Sequence, residues 1–477
     1  MQMVDVHKID AEQVNVFDYR RLGDDYLVAN EFGDWVFLNP EEFQAFLEGT
    51  LDSEGEAHAK LRDGNFLIEH LNEKAAIAKL KKRYQCLNTG PRFFEFSLGR
   101  DGISDEDGDE VVEAGVMSQE VIERALDLAF MSTDEHLTIE ICGASPLKYW
   151  DELLYLVEYA GGRNRLAMKG MRVRIKTSPE DLDEKKINWM VENNVGLCAL
   201  VSSEMILETN SKALSWIATF NKAVSDAGED CSAESAALIL TCTPRILGSY
   251  RQVVDKGREL GCRSIHLRGF DPEEVGADSD GNTECELGAY LVFYTDVLDA
   301  MLDEFDSDSP MVETSAAAYL KRILDGDEPW GFALRNPTVD GIDRLAFNVE
   351  GLIFSSDEGR ILYERREDPI FLLGHVTRTG YRDLVTHQTI RVLLMATVLE
   401  CQPGWANSPY KTFAGVSPVR SYLEHGSVQG NMIESPSNQE QVGILDILFE
   451  RLLHGANNRL PNQLLRHVLH LLLLPVV

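Results

Sequence analysis

The sequence predicts an α/β protein whose centre is a parallel sheet with helices packed outside it. Two observations predict this class. Between Arg92 and Phe305, six strand-like apolar runs alternate with helical runs, and β-α units in series build parallel sheets. Before Arg92 the pattern differs: two short apolar runs joined by a turn are followed by short helical stretches, which marks a separate small α+β unit.

In that first unit, Tyr26-Leu27-Val28-Ala29 and Trp35-Val36-Phe37-Leu38 read as hairpin strands. Asn30 to Asp34 joins them, and Gly33 supplies the positive φ that a tight turn requires. Asn39-Pro40-Glu41-Glu42 then starts a helix, with Asn39 as N-cap, Pro40 at the first helical position and Glu42 closing a capping box. Phe43, Phe46 and Leu47 form its apolar face and Gly49 ends it. A second helix around Ala57 to Leu61 ends at Asp63-Gly64. Hairpin plus short helices is a winged-helix-like plan over residues 1–88.

The middle, residues 89–308, carries strand-like runs at Phe93 to Leu98, Leu137 to Ile141, Met171 to Thr177, Val195 to Val201, Ala236 to Cys242 and Ser264 to Leu267. Helical runs follow them: Ser118 to Met131, Lys148 to Ala160, Pro179 to Asn193, Lys212 to Ala227, Ile246 to Leu260 and Leu287 to Phe305. Ser118 and Ser178 are candidate N-caps. A partial barrel and a doubly wound sheet both fit this pattern. The acidic stretches Ser104 to Glu113 and Asp271 to Glu286 interrupt it. Asp105 to Asp109 resembles a calcium loop but misses the EF-hand spacing, since Ile103 takes the first ligand position. Residues 309–477 add the strand-like Leu345 to Asn348 and Leu352 to Phe354, a loop-rich stretch from Gln402 to Ser437, and a helix from about Val442 to Leu453.

The formal charge of −34 repels phosphate backbones, so nucleic acid is not an expected partner. The apolar tail from Val468 to Val477 is far shorter than the roughly 20 residues of a membrane span. The polar first ten residues show no export signal, and a cytoplasmic protein is expected. The eight cysteines are scattered without C-x2-C or C-x3-C spacing. A disulfide framework and a compact metal site are both unsupported.

The order of these parts resembles the B-type radical S-adenosylmethionine (SAM) maturases of His-Xaa-Ser peptide systems, within the radical SAM/SPASM group. The residues that carry the resemblance are Tyr26-Leu27-Val28 with Asn30-Glu31-Phe32-Gly33, Met117-Ser118 with Arg124 to Asp127, and Ile139-Glu140 with Gly143 and Pro146. Further on they are Leu260-Gly261 with Leu267-Arg268, Ser356 to Arg360 with Leu373 to Val376, and Ser417-Pro418-Val419 with His425-Gly426. The resemblance implies a partial (β/α)6 TIM-like barrel, an N-terminal peptide-recognition unit and a C-terminal SPASM-like extension.

The departures from that family matter as much. A radical SAM enzyme holds its four-iron cluster by three thiolates on the loop after the first barrel strand. From Gly99 to Met117 there is no cysteine, and the three positions fall near Arg100, Ser104 and Asp107. The cofactor loop reads Gly143-Ala144-Ser145-Pro146 and lacks the family's carboxylate. The auxiliary-cluster region retains Cys401 alone.

The expectation is therefore a radical SAM-like pseudoenzyme with no cofactor and no catalytic residue. Its expected partner is a precursor peptide or an active maturase homologue. Asn30, Glu31, Phe32, Trp35 and Phe43 are the candidate peptide contacts, by strand addition at an exposed edge; the three aromatics read equally well as core. Two alternatives stand beside it. One is an enzyme with a repurposed barrel mouth, around Glu140, His266 and Arg268. The other is an active maturase whose cluster a partner's cysteines complete.

Overall fold

The computed structural model describes residues 13–100, 103–104, 110–112, 115–143, 145–228, 231–269, 286–303, 310–326, 334–430 and 433–456. Asp107, Ala144, the acidic loop 271–285 and the apolar tail lie outside the described residues.

The N-terminal unit is a three-stranded antiparallel sheet followed by three helices. Its strands are β1 (Phe17–Leu22), β2 (Asp25–Asn30) and β3 (Trp35–Leu38), in that spatial order. The helices are α1 (Pro40–Glu48), α2 (Glu56–Asp63) and α3 (Glu73–Arg83). The expected capping box on α1 forms: the Asn39 side chain accepts from Glu42 N at 2.9 Å, and Asn39 N donates to Glu42 at 3.0 Å. Gly33 adopts φ 85° and Gly49 φ 65°, both left-handed values that favour glycine. Val28, Val36, Leu38, Phe43, Phe46, Leu61 and Phe66 close a small core of their own. Helix α3 was not expected, because its lysine-rich surface leaves only Ala76 as a buried apolar residue.

The main body is one ten-stranded sheet. Its strand β4 (Phe93–Ser97) is followed by two short pairs, β5 (Gly99–Arg100) with β8 (Gly115–Val116) and β6 (Ile103–Ser104) with β7 (Glu110–Val112). Then come β9 (His136–Cys142), β10 (Gly170–Thr177), β11 (Val195–Ser202), β12 (Ala237–Thr241), β13 (Ser264–Arg268) and β14 (Val312–Glu313). They lie in sequential order, all parallel. A run of seven parallel strands in sequential order is what the partial-barrel alternative expects, and the order turns only at β4, where a later strand adds on its other side. The last strands are β15 (Arg344–Phe347), β16 (Leu352–Phe354) and β17 (Leu372–His375); β15 pairs parallel with β4 and the other two continue antiparallel. Residues beyond 308 thus contribute four strands to this sheet rather than building one of their own.

The outer helices are α4 (Gln119–Phe130), α5 (Trp150–Ala167), α6 (Glu184–Glu192), α7 (Ser203–Leu207), α8 (Lys212–Ala227), α9 (Tyr250–Glu259) and α10 (Leu287–Asp303). The run read as one helix from Pro179 is a single 3-10 turn followed by α6, because Asp183 caps Lys186 N at 2.9 Å and restarts the chain. Beyond the barrel lie α11 (Thr314–Asp325), α12 (Asp357–Arg366), α13 (Tyr381–Val385), α14 (Gln388–Ala396), α15 (Pro418–His425) and α16 (Pro436–Ala456). Helix α15 sits inside the stretch read as loop-rich. Its signals were local: Ser417 caps Arg420 N, Pro418 opens the helix, and Gly426 closes it at φ 68°.

The strands divide their faces by a period of two. Phe94 and Phe96, Ile139 and Ile141, Val173 and Ile175, Leu238 and Leu240, and Ile265 and Leu267 are buried in the main core. Their alternates, Glu95, Glu140, Arg174, Lys176, His266 and Arg268, face a lumen. The N-terminal unit is fastened to this body by Arg20, which donates to Asp446 at 2.6 and 2.5 Å. Trp35 Nε1 donates to Ile323 O at 2.9 Å, and its ring meets Phe449 edge-on at 5.5 Å.

Candidate functional site

The lumen is a cavity of about 230 Å³. Strands β4, β9, β10, β12, β13 and β15 supply one wall; the N-terminal parts of α11, α12, α15 and α16 close the other. Glu140, His266 and Arg268, the residues expected at the barrel mouth, all line it. So do Glu95, Arg174, Lys176, Asp340, Arg344 and Asp357, which the sequence did not single out.

These groups form a buried charge network. Glu140 receives Arg174 Nε at 2.7 Å and Lys176 Nζ at 3.1 Å. Lys176 also lies 3.6 Å from Asp357, which Arg360 holds at 2.7 Å. Asp357 N donates to Glu95 at 3.0 Å, and Arg344 stands 3.9 Å from the same carboxyl. The guanidinium carbons of Arg174 and Arg344 lie 4.8 and 5.0 Å from the Phe93 ring centroid, positions that favour cation–π attraction.

The carboxyls are driven apart in acidity. Burial favours the neutral form of Glu140, but Lys176 and Arg174 outweigh it and hold the carboxyl at about 2. Burial also opposes ionisation of Asp357, where Arg360 and Lys176 prevail and keep it well below the usual carboxylate range. Glu95 goes the other way: burial pushes it up to about 7, with Arg344 opposing and Asp357 reinforcing. Burial likewise lifts Asp340 to about 7, against Arg344.

A stability test follows from Glu95. Its folded value of about 7 exceeds the ordinary 4.5. Between those values the folded chain holds the extra proton, so stability falls as the pH rises through this window. Glu95→Gln is therefore expected to stabilise the chain by about 1–3 kcal/mol at about pH 8 and by little near pH 5. Urea melts at the two pH values check this; an equal effect at both would show that Glu95 carries no excess proton.

No family model matches the chain, and no curated protein matches it. Solved structures do. Native anSMEcpe with bound AdoMet matches at 13% identity and a TM-score of 0.61, covering 77% of this chain and 100% of that one. The same enzyme with AdoMet and the Cp18Cys peptide matches at 13% identity and 0.59, covering 77% and 99%. Streptococcus suis SuiB bound to its precursor peptide SuiA matches at 11% identity and 0.49, covering 87% and 98%. The fold is that of anSMEcpe.

The positions expected from the sequence to have held a cluster and its cofactor make other contacts. Arg100, the first expected cluster position, forms an ion pair with Glu350 at 2.6 Å. Ser104 lies in the short strand β6, paired with Glu110. The Gly99 backbone rests against Tyr149: a Cβ there would fall 1.9 Å from the ring. Of the cofactor loop, Gly143 takes φ 111°, Ser145 precedes a 3-10 turn and Pro146 is buried within it. Cys142, at the end of β9, donates to Asp357 at 3.4 Å. Burial and then Asp357 push its thiol far above the ordinary value, so it stays protonated. Among the described residues, no group of three or more His, Cys, Asp or Glu is arranged to hold a metal ion.

The five candidate peptide contacts separate. Asn30 is buried and holds its own turn, accepting from Phe32 N and Asp34 N at 3.0 Å each. Phe43 is core, stacked on Tyr26 at 4.2 Å. Glu31 is exposed, and its carbonyl accepts from Arg83 at 3.1 Å. Phe32 and Trp35 line a second cavity of about 390 Å³ between the β2–β3 turn, α3, the end of α11 and Thr412-Phe413. Lys79, Lys82 and Arg83 line it too.

The lumen cations left a trace in the sequence. Arg174 and Lys176 alternate with Val173 and Ile175, a pattern that ordinarily marks a strand with one face in water. In a curled sheet whose helices all lie outside, the same face turns inward. Arg344 and Asp357 left no such trace, because only the return of β15 to β4 brings them to the lumen.

Proposed function

We propose that this chain is a catalytically degenerate radical SAM-like protein. In this reading it binds a precursor peptide, or scaffolds an active maturase, in peptide maturation, and works in the cytoplasm without an iron–sulfur cluster or SAM chemistry. The reading is supported by a fold like that of anSMEcpe together with a segment, Gly99 to Met117, that contains no cysteine where the resemblance implies three. Among the described residues at that end of the strands, the Arg100 guanidinium is committed to Glu350 and the Cys142 thiol is protonated. That set does not fit a cluster that needs three thiolates.

Peptide binding is supported by the N-terminal unit, which reads as winged-helix-like. Strand β3 is a sheet edge, and an edge strand can accept an extended peptide. The neighbouring cavity, with Phe32, Trp35, Lys79, Lys82 and Arg83, suits the side chains of such a peptide. The neighbour anSMEcpe is itself bound to a peptide. Among the described residues no helix is long and apolar enough to cross a membrane.

The deciding experiment is iron and sulfide analysis after anaerobic reconstitution, with visible absorption. The expected result is neither iron nor cluster absorption. A stoichiometric cluster would overturn the reading in favour of an active maturase. Copurification with a catalytic maturase tests the scaffolding role, and a strict monomer in its presence would sink it.

A further inference from the structure

The lumen retains a feature that the charge network does not use. Helices α11, α12, α15 and α16 all bring first-turn residues to it: Thr314, Asp357, Ser417 and Ser437 among them. Helix N-termini carry partial positive charge and attract anions. All four of these ends are already answered from within the chain, α15 by the Ser417 hydroxyl on Arg420 N and α16 by the Ser435 hydroxyl on Asn438 N, each at 3.3 Å. The Glu313 carboxylate accepts from Ala316 N at 2.7 Å, and Glu95 accepts from Asp357 N at 3.0 Å. Thr314 is different. It is 4% exposed and lines the lumen, and its hydroxyl has no hydrogen-bond partner. A buried hydroxyl left in that state is destabilising, and a ligand oxygen would satisfy it.

We propose that the barrel lumen is a binding site for a small organic monocarboxylate, with Arg344 and the Thr314 hydroxyl among its contacts. A guanidinium suits a carboxylate because its planar donors match the two oxygens. The low charge of the ligand follows from the lining, where Glu95, Glu140, Asp340, Asp357, Glu358 and Glu440 already face Arg174, Lys176, Arg268, Arg344 and Arg420. A dianion such as phosphate meets more repulsion there than a single carboxylate does. The site is independent of peptide binding at β3 and of any cluster.

Entry of the anion is coupled to a proton. Glu95 faces Arg344, Asp357, Lys176 and Glu140; Asp340 faces Arg344, Glu358, Glu95 and the Ser356 hydroxyl. Both carboxyls sit near neutrality in acidity, each leaning on Arg344 for its ionised form. A ligand carboxylate that competes for Arg344 favours their protonation, so binding strengthens as the pH falls.

The test is calorimetric titration of the full chain with acetate, lactate and pyruvate, against acetamide, lactamide and inorganic phosphate. The carboxylates are expected to bind and the amides to give no heat. Affinity should rise by up to about tenfold per pH unit, for each proton taken up, between about pH 8 and pH 7. Arg344→Gln should abolish binding. Because that variant touches the charge network, Thr314→Val is the second probe. It removes the unpaired hydroxyl, so it should leave the unliganded chain as stable or more so, yet weaken the carboxylate about three- to tenfold. A purely structural threonine would not separate the two effects. No binding by any carboxylate, phosphate binding as tightly as they do, or a pH-independent affinity would each overturn the proposal.

Discussion

Glu140→Ala is expected to destabilise the chain by about 3–5 kcal/mol, the range for removing one partner of a buried ion pair. The reason lies in what remains behind. Arg174 and Lys176 are 17% and 19% exposed at their side chains, so neither can regain full hydration. Among the described residues, Lys176 keeps its ion pair with Asp357, at 3.6 Å. The pH dependence has a definite sign. Glu140 is held at about 2, below its ordinary 4.5. Its contribution is therefore complete above that ordinary value and is lost as the pH falls towards the folded one. Chemical denaturation at neutral pH measures the loss, and repetition near pH 3 should show it shrinking. Replacing both partners by apolar residues, as in Glu140→Leu with Lys176→Met, should recover a large part of it. A single-variant loss under about 1 kcal/mol would mean that water reaches the network and screens it.

Gly415→Ala is expected to cost about 3 kcal/mol or more, at the upper end for overpacking. A Cβ at Gly415 would sit 1.9 Å from Arg335 N and 2.4 Å from Leu334 C. Both are backbone atoms, so no rotamer change relieves the clash. The site is also pinned from the other side. Gln441 accepts from Gly415 N and donates to Gly415 O, each at 2.7 Å. Widening the gap therefore strains a buried amide pair that attaches α16 to this segment. Gln441 also lines the lumen, so the damage should reach the proposed carboxylate site. Thermal melting measures the stability loss, and an unchanged midpoint would show that the 334–335 backbone moves aside freely. The Gly415 segment serves as close-packed backbone.

Local structure was largely legible. The Asn39-Pro40-Glu42 cap, the Gly33 turn and the Ser118 cap act over a few residues, and each appears as expected. Helix α3 was hidden because propensity without an apolar stripe gives no periodic signal. Helix α15 was hidden because Pro418 opens a helix as readily as it marks a loop. The candidate site was legible only in part. Glu140, His266 and Arg268 alternate with apolar neighbours on their own strands, so their common direction follows from the period of two. Trp35 could be named as an aromatic near a strand edge, but its anchoring on Ile323 and Phe449 spans more than 280 residues of sequence.

The sequence by itself determined the six strands of the middle region, their alternation with helices, and the absence of cysteine from Gly99 to Met117. Each depends on neighbours a few residues apart or on composition. Tertiary structure alone decided the sequential strand order, the return of Arg344–Phe347 beside Phe93–Ser97, and the lumen those two facts enclose. It also decided which charges ionise. Whether Glu95 keeps its proton or Glu140 loses it depends on burial and on cations brought within a few ångströms by distant strands, and Coulomb interactions are set by distance in space, not along the chain.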